Sequence, residues 1–543
     1  MGSILTGRRH FLGSAGLGFA LANQAFAAPR KKTEVQSVIA ETSRGRVRGT
    51  NIGGIRTFKG IPYGAATDGP NRFREPRPAV PWKGIKDTVA YGPMCPQEIH
   101  PRPSYAASWA VELAMSEDCL ILNIWTPALR DHHKRPVMVW IHGGGFSVGS
   151  GGSPVCDGTN LARKGDAVIV TLNHRLNIFG HLYLAKLGGT EYAESGNLGI
   201  LDLVAALRWI HTNIAEFGGD PSNVTIFGQS GGGAKISTLM AMPQTRGLFQ
   251  RAIVQSGSHL DGLAPEEANA HAIAFLKAVE VPVTDLPRLQ RLSFEQLLTG
   301  VRKIAAGPGP RPNFSPVVDG RFLPKAPWIP DGPASSASIP MLIGSTKTET
   351  TALIGAGDPS TFVLDDASLR KKLGAWLPAN DIERVIAGYR KQAPAASPPD
   401  LFFAITSARR VRQQAWFQAE RKATQNAAPV WLYELDWQTP VDGGKWQSPQ
   451  GLDLAFVFDN VAKSESMVGK GDEQRALAEQ MSAAWLAFAR TGNPNNKTLP
   501  PWPPFRAAER ATMVFDVKSR VVNDFRGDER QLLAQVPMYR ISR

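Results

Sequence analysis

The residues Gly228-Gln229-Ser230-Gly231-Gly232 follow the apolar run Val224-Thr225-Ile226-Phe227 and precede A-K-I-S-T-L-M, which can open a helix. A serine between glycines at a strand-to-helix turn has a specific physical use. The turn is too tight for side chains at its flanks, so glycines there leave the hydroxyl exposed at the helix N-terminus. Such a serine is placed to attack an acyl carbonyl. That attack needs N–H donors for the oxygen that becomes negative, and an acceptor for the serine proton. Upstream, His142-Gly143-Gly144-Gly145-Phe146 follows a second apolar run, and its glycines let backbone amides approach such an oxygen. His142 itself reads as a structural residue of that loop. In a chain with 53 glycines a G-x-S-x-G string arises readily by chance, so the strand-turn-helix context gives the motif its weight.

Elements of a particular kind must position these groups. The runs V-M-V-W-I-H (137–142), A-V-I-V-T-L-N (167–173) and V-T-I-F-G (224–228) are apolar without alternation, as strands covered on both faces are. Between the second and third, Leu198 to Phe217 places Leu203, Ala206, Leu207 and Ile210 at helical spacing. Strand, helix, strand implies a parallel sheet with crossover helices. Residues 37–90 alternate short β-rich runs with Gly and Pro turns and read as an antiparallel meander. A second amphipathic helix is expected from Phe402 to Ala423, with Pro/Gly-rich loops at 305–333 and 393–400. The expected fold class is α/β, a large mixed, mostly parallel sheet flanked by helices, with an N-terminal antiparallel meander. No linker divides residues 28–543, which read as one domain.

At 543 residues, 43% of them hydrophobic, the chain can bury a large core without staples. The 61 Lys and Arg against 47 Asp and Glu give a formal charge of +14. The basic residues are scattered, with no stripe interleaved with aromatics, so no nucleic-acid partner is expected. At the N-terminus Arg8 and Arg9 precede Phe11 and Leu12, an apolar run reaches Ala22, and Ala25-Phe26-Ala27 offers a cleavage site. Residues 1–27 resemble a twin-arginine export signal, which implies a periplasmic or secreted protein whose mature charge falls from +14 to +12. No later stretch has the ~18 uninterrupted apolar residues of a membrane span. The cysteines Cys95, Cys119 and Cys156 allow one bridge or three free thiols. With no metal-ligand cluster and no nucleotide-binding loop in the sequence, no metal and no cofactor is expected.

Further segments carry a resemblance: S-E-D-C-L-I-L-N (116–123), N-H-R-L-N-I-F-G-H (173–181), N-L-G-I-L-D (197–202), F-G-G-D-P (217–221), F-S-P-V-V-D-G (314–320) and A-R-T-G-N-P (489–494). Together with the two glycine motifs, in this order, they resemble the type-B carboxylesterases, the family of bacterial para-nitrobenzyl esterases and cholinesterases. The resemblance covers nearly everything after the signal. It implies an α/β-hydrolase fold and a serine ester hydrolase acting on a small-molecule ester through an acyl-enzyme. It also implies oxyanion donors from Gly144, Gly145 and Gly231, a Cys95–Cys119 disulfide and a structural Arg72–Glu117 ion pair. In M-L-I-G-S-T-K-T-E-T it places the triad acid at Glu349. The substrate pockets of such a fold are shaped by loops, here 92–115 and 300–335.

The pattern breaks at the base. The family segment S-P-H-x-L-E-x-P-F-V-F-D-N reads S-P-Q-G-L-D-L-A-F-V-F-D-N from Ser448 to Asn460, so Gln450 stands where the histidine belongs and Ala455 where a proline does. An amide takes no proton from a serine near neutral pH. In subtilisin, loss of the histidine costs on the order of a millionfold in kcat, with roughly 10³ to 10⁴ over water surviving. His259, in A-I-V-Q-S-G-S-H-L, is a candidate substitute base, although lining the pocket wall accounts for it as well; His174 and His181 sit in structural text. Three readings follow: a serine hydrolase, a non-catalytic binding relative on the same scaffold, and a slow acyl-transfer enzyme.

Overall fold

In the central strands, successive side chains enter two different cores. Val137, Val139 and Ile141 join one buried cluster, while Met138 and Trp140 join another. Ala252 and Val254 likewise part from Ile253, and Met341 and Ile343 from Leu342. Period-two alternation across a sheet wet on neither face produces this division. The computed structural model describes residues 35–99, 103–307 and 313–539. The expected export signal, 1–27, lies outside the described residues.

The strands are β1 (Gln36–Thr42), β2 (Gly45–Ile52), β3 (Ile55–Pro62), β4 (Ile85–Asp87), β5 (Ile121–Thr126), β6 (Arg135–Ile141), β7 (Val168–Leu172), β8 (Gly219–Gln229), β9 (Arg251–Gln255), β10 (Met341–Thr346), β11 (Val430–Leu435), β12 (Thr512–Phe515) and β13 (Arg520–Val522). They form one 13-stranded sheet in the order β1-β2-β3-β5-β7-β6-β8-β9-β10-β11-β12-β13, with β4 added to β2. From β7 to β12 every pairing is parallel, and the N-terminal strands and β13 pair antiparallel. The mixed, mostly parallel α/β architecture with an antiparallel N-terminal edge is therefore the observed one. One detail of the meander differs: β4 lies parallel to β2, because the chain leaves β3 and crosses back before pairing.

Helices cover both faces. On one side lie Leu198–Asn213, Gly231–Ala241 and Gln413–Thr424, which contribute Leu203, Leu207, Ile236, Leu239 and Trp416 to the larger cluster. On the other, Thr159–Gly165 and Asp472–Thr491 contribute Leu161, Leu477, Met481 and Trp485. The expected 402–423 helix begins earlier, at Pro398 behind a Ser397 capping box, and contains a wide turn at Ala408–Arg412. Ser195–Phe217 is long and apolar enough to cross a membrane by composition, but it lies in the connection from β7 to β8 and 72% of its apolar window is buried inside the fold.

A buried ion pair ties that crossover helix to the loop after β7. Asp202 Oδ2 accepts from the Arg175 backbone N–H and Nε, both at 2.9 Å, and Oδ1 accepts from the guanidinium at 2.6 Å. Both side chains are sealed from solvent. Removing one charge strands the other, a change that costs about 3–5 kcal/mol at buried pairs. Asp202→Asn is therefore expected to lower the urea midpoint by that equivalent with the slope unchanged, and an unmoved midpoint would contradict the pair's role.

Candidate active site

The carboxyl ends of β6, β8, β9 and β10 converge, and each releases one part of the site, as open parallel sheets do. Ser230 leaves β8 with φ 57 and ψ −125 and caps the helix Gly231–Ala241. Few residues other than glycine adopt this conformation, and here the backbone holds it: Ser230 N–H donates to Gln255 O at 2.8 Å, and Ser230 O accepts from Ala234 N at 3.0 Å. A methyl at Gly232 would run into Ile141 O, and one at Gly228 would lie 2.6 Å from the same carbonyl oxygen. The flanking glycines are therefore required by the approach of the helix to β6.

The loop after β6 places Gly144 (φ 92) and Gly145 (φ 60) at the surface, in a turn where Gly144 O accepts from Ser147 N and Val148 N. Gly145 abuts Gly231: a methyl on Gly231 would meet Gly145 N and Cα at 2.5 Å. The loop and the helix N-terminus thus present their backbones to one point beside Ser230. Among the described residues neither the Gly144 nor the Gly145 N–H donates to another backbone group, which leaves both for a substrate oxygen.

Glu349 follows β10, fully buried, and its Oε1 accepts the Thr346 N–H at 2.8 Å. Its turn is stitched to two neighbours. Thr350 N donates to Ser407 Oγ at 3.1 Å, beside the wide turn of the long helix. Thr348 N donates to Ser448 O at 3.0 Å, and Ser448 N returns a bond to Thr348 Oγ1 at 2.8 Å. Gln450, 8% exposed, lies two residues beyond Ser448, so the base position is fixed against the acid's turn. Glu349 Oε2 is buried with the Ser256 hydroxyl as its polar neighbour.

His259 is brought near but held elsewhere. Its Nδ1 pairs with Thr238 Oγ1 at 2.9 Å, two turns along the helix that begins at Ser230, and no hydrogen bond joins the ring to Ser230. Thr238 Oγ1 already donates to Ala234 O, so His259 Nδ1 carries the hydrogen in this pair. Burial pulls the ring's pKa down to about 4, leaving it a weak base. His142 pairs with Gly143 O at 2.8 Å and stacks on His174 at 4.8 Å, the structural role expected of it.

Arg72 and Glu117 form the expected pair, with Nε to Oε2 at 2.8 Å, and Arg72 also donates to Leu289 O and Leu292 O at 2.7 Å. The Cys95–Cys119 disulfide is a correction. The two sulfurs are neighbours but stand as free thiols, as does Cys156. A hydrogen bond to Cys95 and burial hold Cys119 protonated, and Cys95 Sγ accepts the Leu176 N–H at 3.3 Å.

Two features escaped sequence reasoning. Asp453, buried beneath the site, accepts from Gln255 Nε2 at 2.6 Å and Tyr433 OH at 3.2 Å, and Trp485 Nε1 donates to Gln255 Oε1 at 3.1 Å. These four come from two strands and two helices, so no local pattern announces them. Lys235, fully buried one turn past the nucleophile, had a visible signal: a lysine inside the apolar opening of a helix.

Burial, with Asp453 adding to it, pushes Glu349 up to about 8 against the lowering pull of the neighbouring Ser256 and Thr346. A carboxyl raised from 4.5 to about 8 binds an extra proton in the folded state between those values. Its contribution is therefore full below pH 4.5 and lost as pH rises through about 8. Between pH 5 and 8 the parent is expected to lose stability relative to Glu349→Gln by on the order of a few kcal/mol. Melting curves across that range check this, and a constant gap between the two proteins would refute it.

Residues 36–532 match the model of the Carboxylesterase family. The para-nitrobenzyl esterase of Bacillus subtilis is 35% identical over 91% of this chain and 98% of its own length. The phenmedipham hydrolase of Pseudarthrobacter oxydans is 33% identical over 88% and 94%. A carboxylesterase structure from Geobacillus stearothermophilus superposes with a TM-score of 0.79 at 39% identity, covering 91% of this chain and 99% of that one. Matching along nearly its whole length in sequence and in architecture, the chain belongs to the carboxylesterase family.

Proposed function

We propose that this protein hydrolyses small-molecule carboxylic esters with Ser230 as nucleophile, slowly at neutral pH because Gln450 occupies the base position. The observation that carries the reading is the strained Ser230 elbow facing the open Gly144 and Gly145 amides. Ser230 Oγ attacks the ester carbonyl, and the N–H groups of Gly144, Gly145 and Gly231 hold the resulting oxyanion. Collapse of that intermediate expels the alcohol, which takes up a proton, and leaves an acyl group on Ser230; water then releases the acid. Neither Gln450 nor the tethered His259 takes the serine proton, so that proton goes to solvent hydroxide. The N-terminal sequence supports export to the periplasm or the medium.

The missing base favours a second reading: deacylation is the step most exposed to its loss, so the acyl-serine persists and can pass its group to another alcohol. Intact-mass spectrometry after exposure to an activated ester distinguishes them, since a long-lived adduct at Ser230 marks the second.

The deciding measurement is hydrolysis of a para-nitrophenyl ester by the parent, Ser230→Ala, Gln450→His and His259→Ala. The expected result is weak parent activity that rises with pH, loss in Ser230→Ala, little change in His259→Ala, and a gain of roughly 10² to 10⁴ in Gln450→His. Parent activity that survives Ser230→Ala would end the proposal, and a large loss in His259→Ala would return the base role to that histidine.

A further inference from the structure

Lys235 lies on the helix Gly231–Ala241 with its side chain wholly sealed from solvent. Helical side chains lean toward the N-terminus of their helix. That lean brings Nζ back toward the elbow, where it donates to His142 O at 3.1 Å. Among the described residues no carboxylate lies within ion-pair distance of it. An ammonium buried without a counter-charge is costly unless polar groups around it take up its hydrogens.

Three histidines from three elements face it: His142 at the end of β6, His174 after β7, and His181 on the short helix Asn177–His181. Each pairs its Nδ1 with a backbone carbonyl: Gly143 O at 2.8 Å, Arg175 O at 2.9 Å and Gly196 O at 3.2 Å. A carbonyl only accepts, so each Nδ1 carries the hydrogen and each Nε2 is a bare acceptor. All three Nε2 atoms are buried and without hydrogen-bond partners among the described residues. Burial holds His142 and His181 at about 3, and His174 well below its ordinary value, so none competes for the positive charge. The Phe146 ring, 5.8 Å from Nζ, closes the cluster and separates it from His259, whose ring lies 5.4 Å on from Phe146.

Among the described residues, the one direct hydrogen bond from this ammonium goes to the carbonyl that opens the oxyanion loop. Gly143, Gly144 and Gly145 follow at once, and they have no side chains with which to anchor themselves. Gly144 and Gly145 both take positive φ, so the direction of their N–H groups depends on where His142 is held.

We propose that Lys235 is the positioning residue of the oxyanion loop, fixing Gly144 and Gly145 through its bond to the His142 carbonyl. It touches no reacting atom. Its kinetic consequence rests on the ester-hydrolysis reading above, whereas its structural consequence does not. Burial alone pulls Lys235 down to about 7. The bond survives that titration, because the neutral amine still donates, so donor capacity rather than charge is the property to test.

Lys235→Met keeps the length and removes the donor, and Lys235→Gln keeps a donor and removes the charge. Hydrogen–deuterium exchange of the peptide spanning residues 141–148, with para-nitrophenyl butyrate kinetics, reads both. In Lys235→Met, exchange of that peptide is expected to rise while the rest of the chain is unchanged, and kcat to fall roughly ten- to hundredfold at constant KM. Lys235→Gln is expected to restore parent-like exchange and most of kcat. Parent-like exchange in Lys235→Met, or raised loop exchange in a folded Lys235→Gln, overturns the proposal. If Lys235→Met does not fold, the Lys235→Gln result decides alone. If the parent turns over no ester, the hydrolysis reading fails while the exchange comparison still decides the role of the lysine.

Discussion

Close backbone approach at the nucleophile turn is the constraint on which this molecule is built. The helix that follows Ser230 meets β6 at Gly232 and Ile141, the oxyanion loop meets that helix at Gly145 and Gly231, and Gly257 fits against the backbone of Ser230 itself. A side chain at any of these glycines would force one element away from the next. The helix would lose its seat on the sheet, and the serine its strained conformation. The parallel sheet supplies the rigidity that holds such strain, with β6, β8, β9 and β10 buried on both faces.

Around that turn the protein keeps ionisable groups out of water and relies on backbone partners to satisfy them. Glu349 is held by the Thr346 amide, Lys235 by the His142 carbonyl, and three histidines by carbonyls of their own neighbourhoods. In low dielectric this leaves the acid protonated more readily than usual and the histidines neutral. A triad histidine would give Glu349 Oε2 a donor and, when charged, a reason to ionise. On the proposed reading, glutamine in that place leaves the acid in position without such a donor. On the same reading, the groups that would hold a negative oxygen are present while those that would move a proton are not.

The legible parts of the site were those set by steric need. Glycine at 228, 232, 144 and 145 is demanded by turns and close approach, and the three covered strands by their uninterrupted apolar runs, so both showed in the residues themselves. The pairing of β4 with β2 was not legible, because a three-residue strand carries no periodicity and its direction depends on a crossover. His259 shows the same limit: its place near the site was readable, but its tether to Thr238 depends on which turn of the helix β9's loop passes.

The family, the Gly-flanked turn at Ser230, the glycine loop at 143–145 and the glutamine at 450 are legible in the sequence, because each lies in a contiguous segment whose residue types admit few alternatives. Tertiary structure alone decided which groups meet across elements: Asp453 with Gln255 and Tyr433, the two thiols of Cys95 and Cys119 left unbridged, and Lys235 beneath the loop of His142. These partners are far apart in the chain, and a buried polar group advertises no partner in its neighbours. It takes whichever donor or acceptor the packed sheet and helices bring within reach.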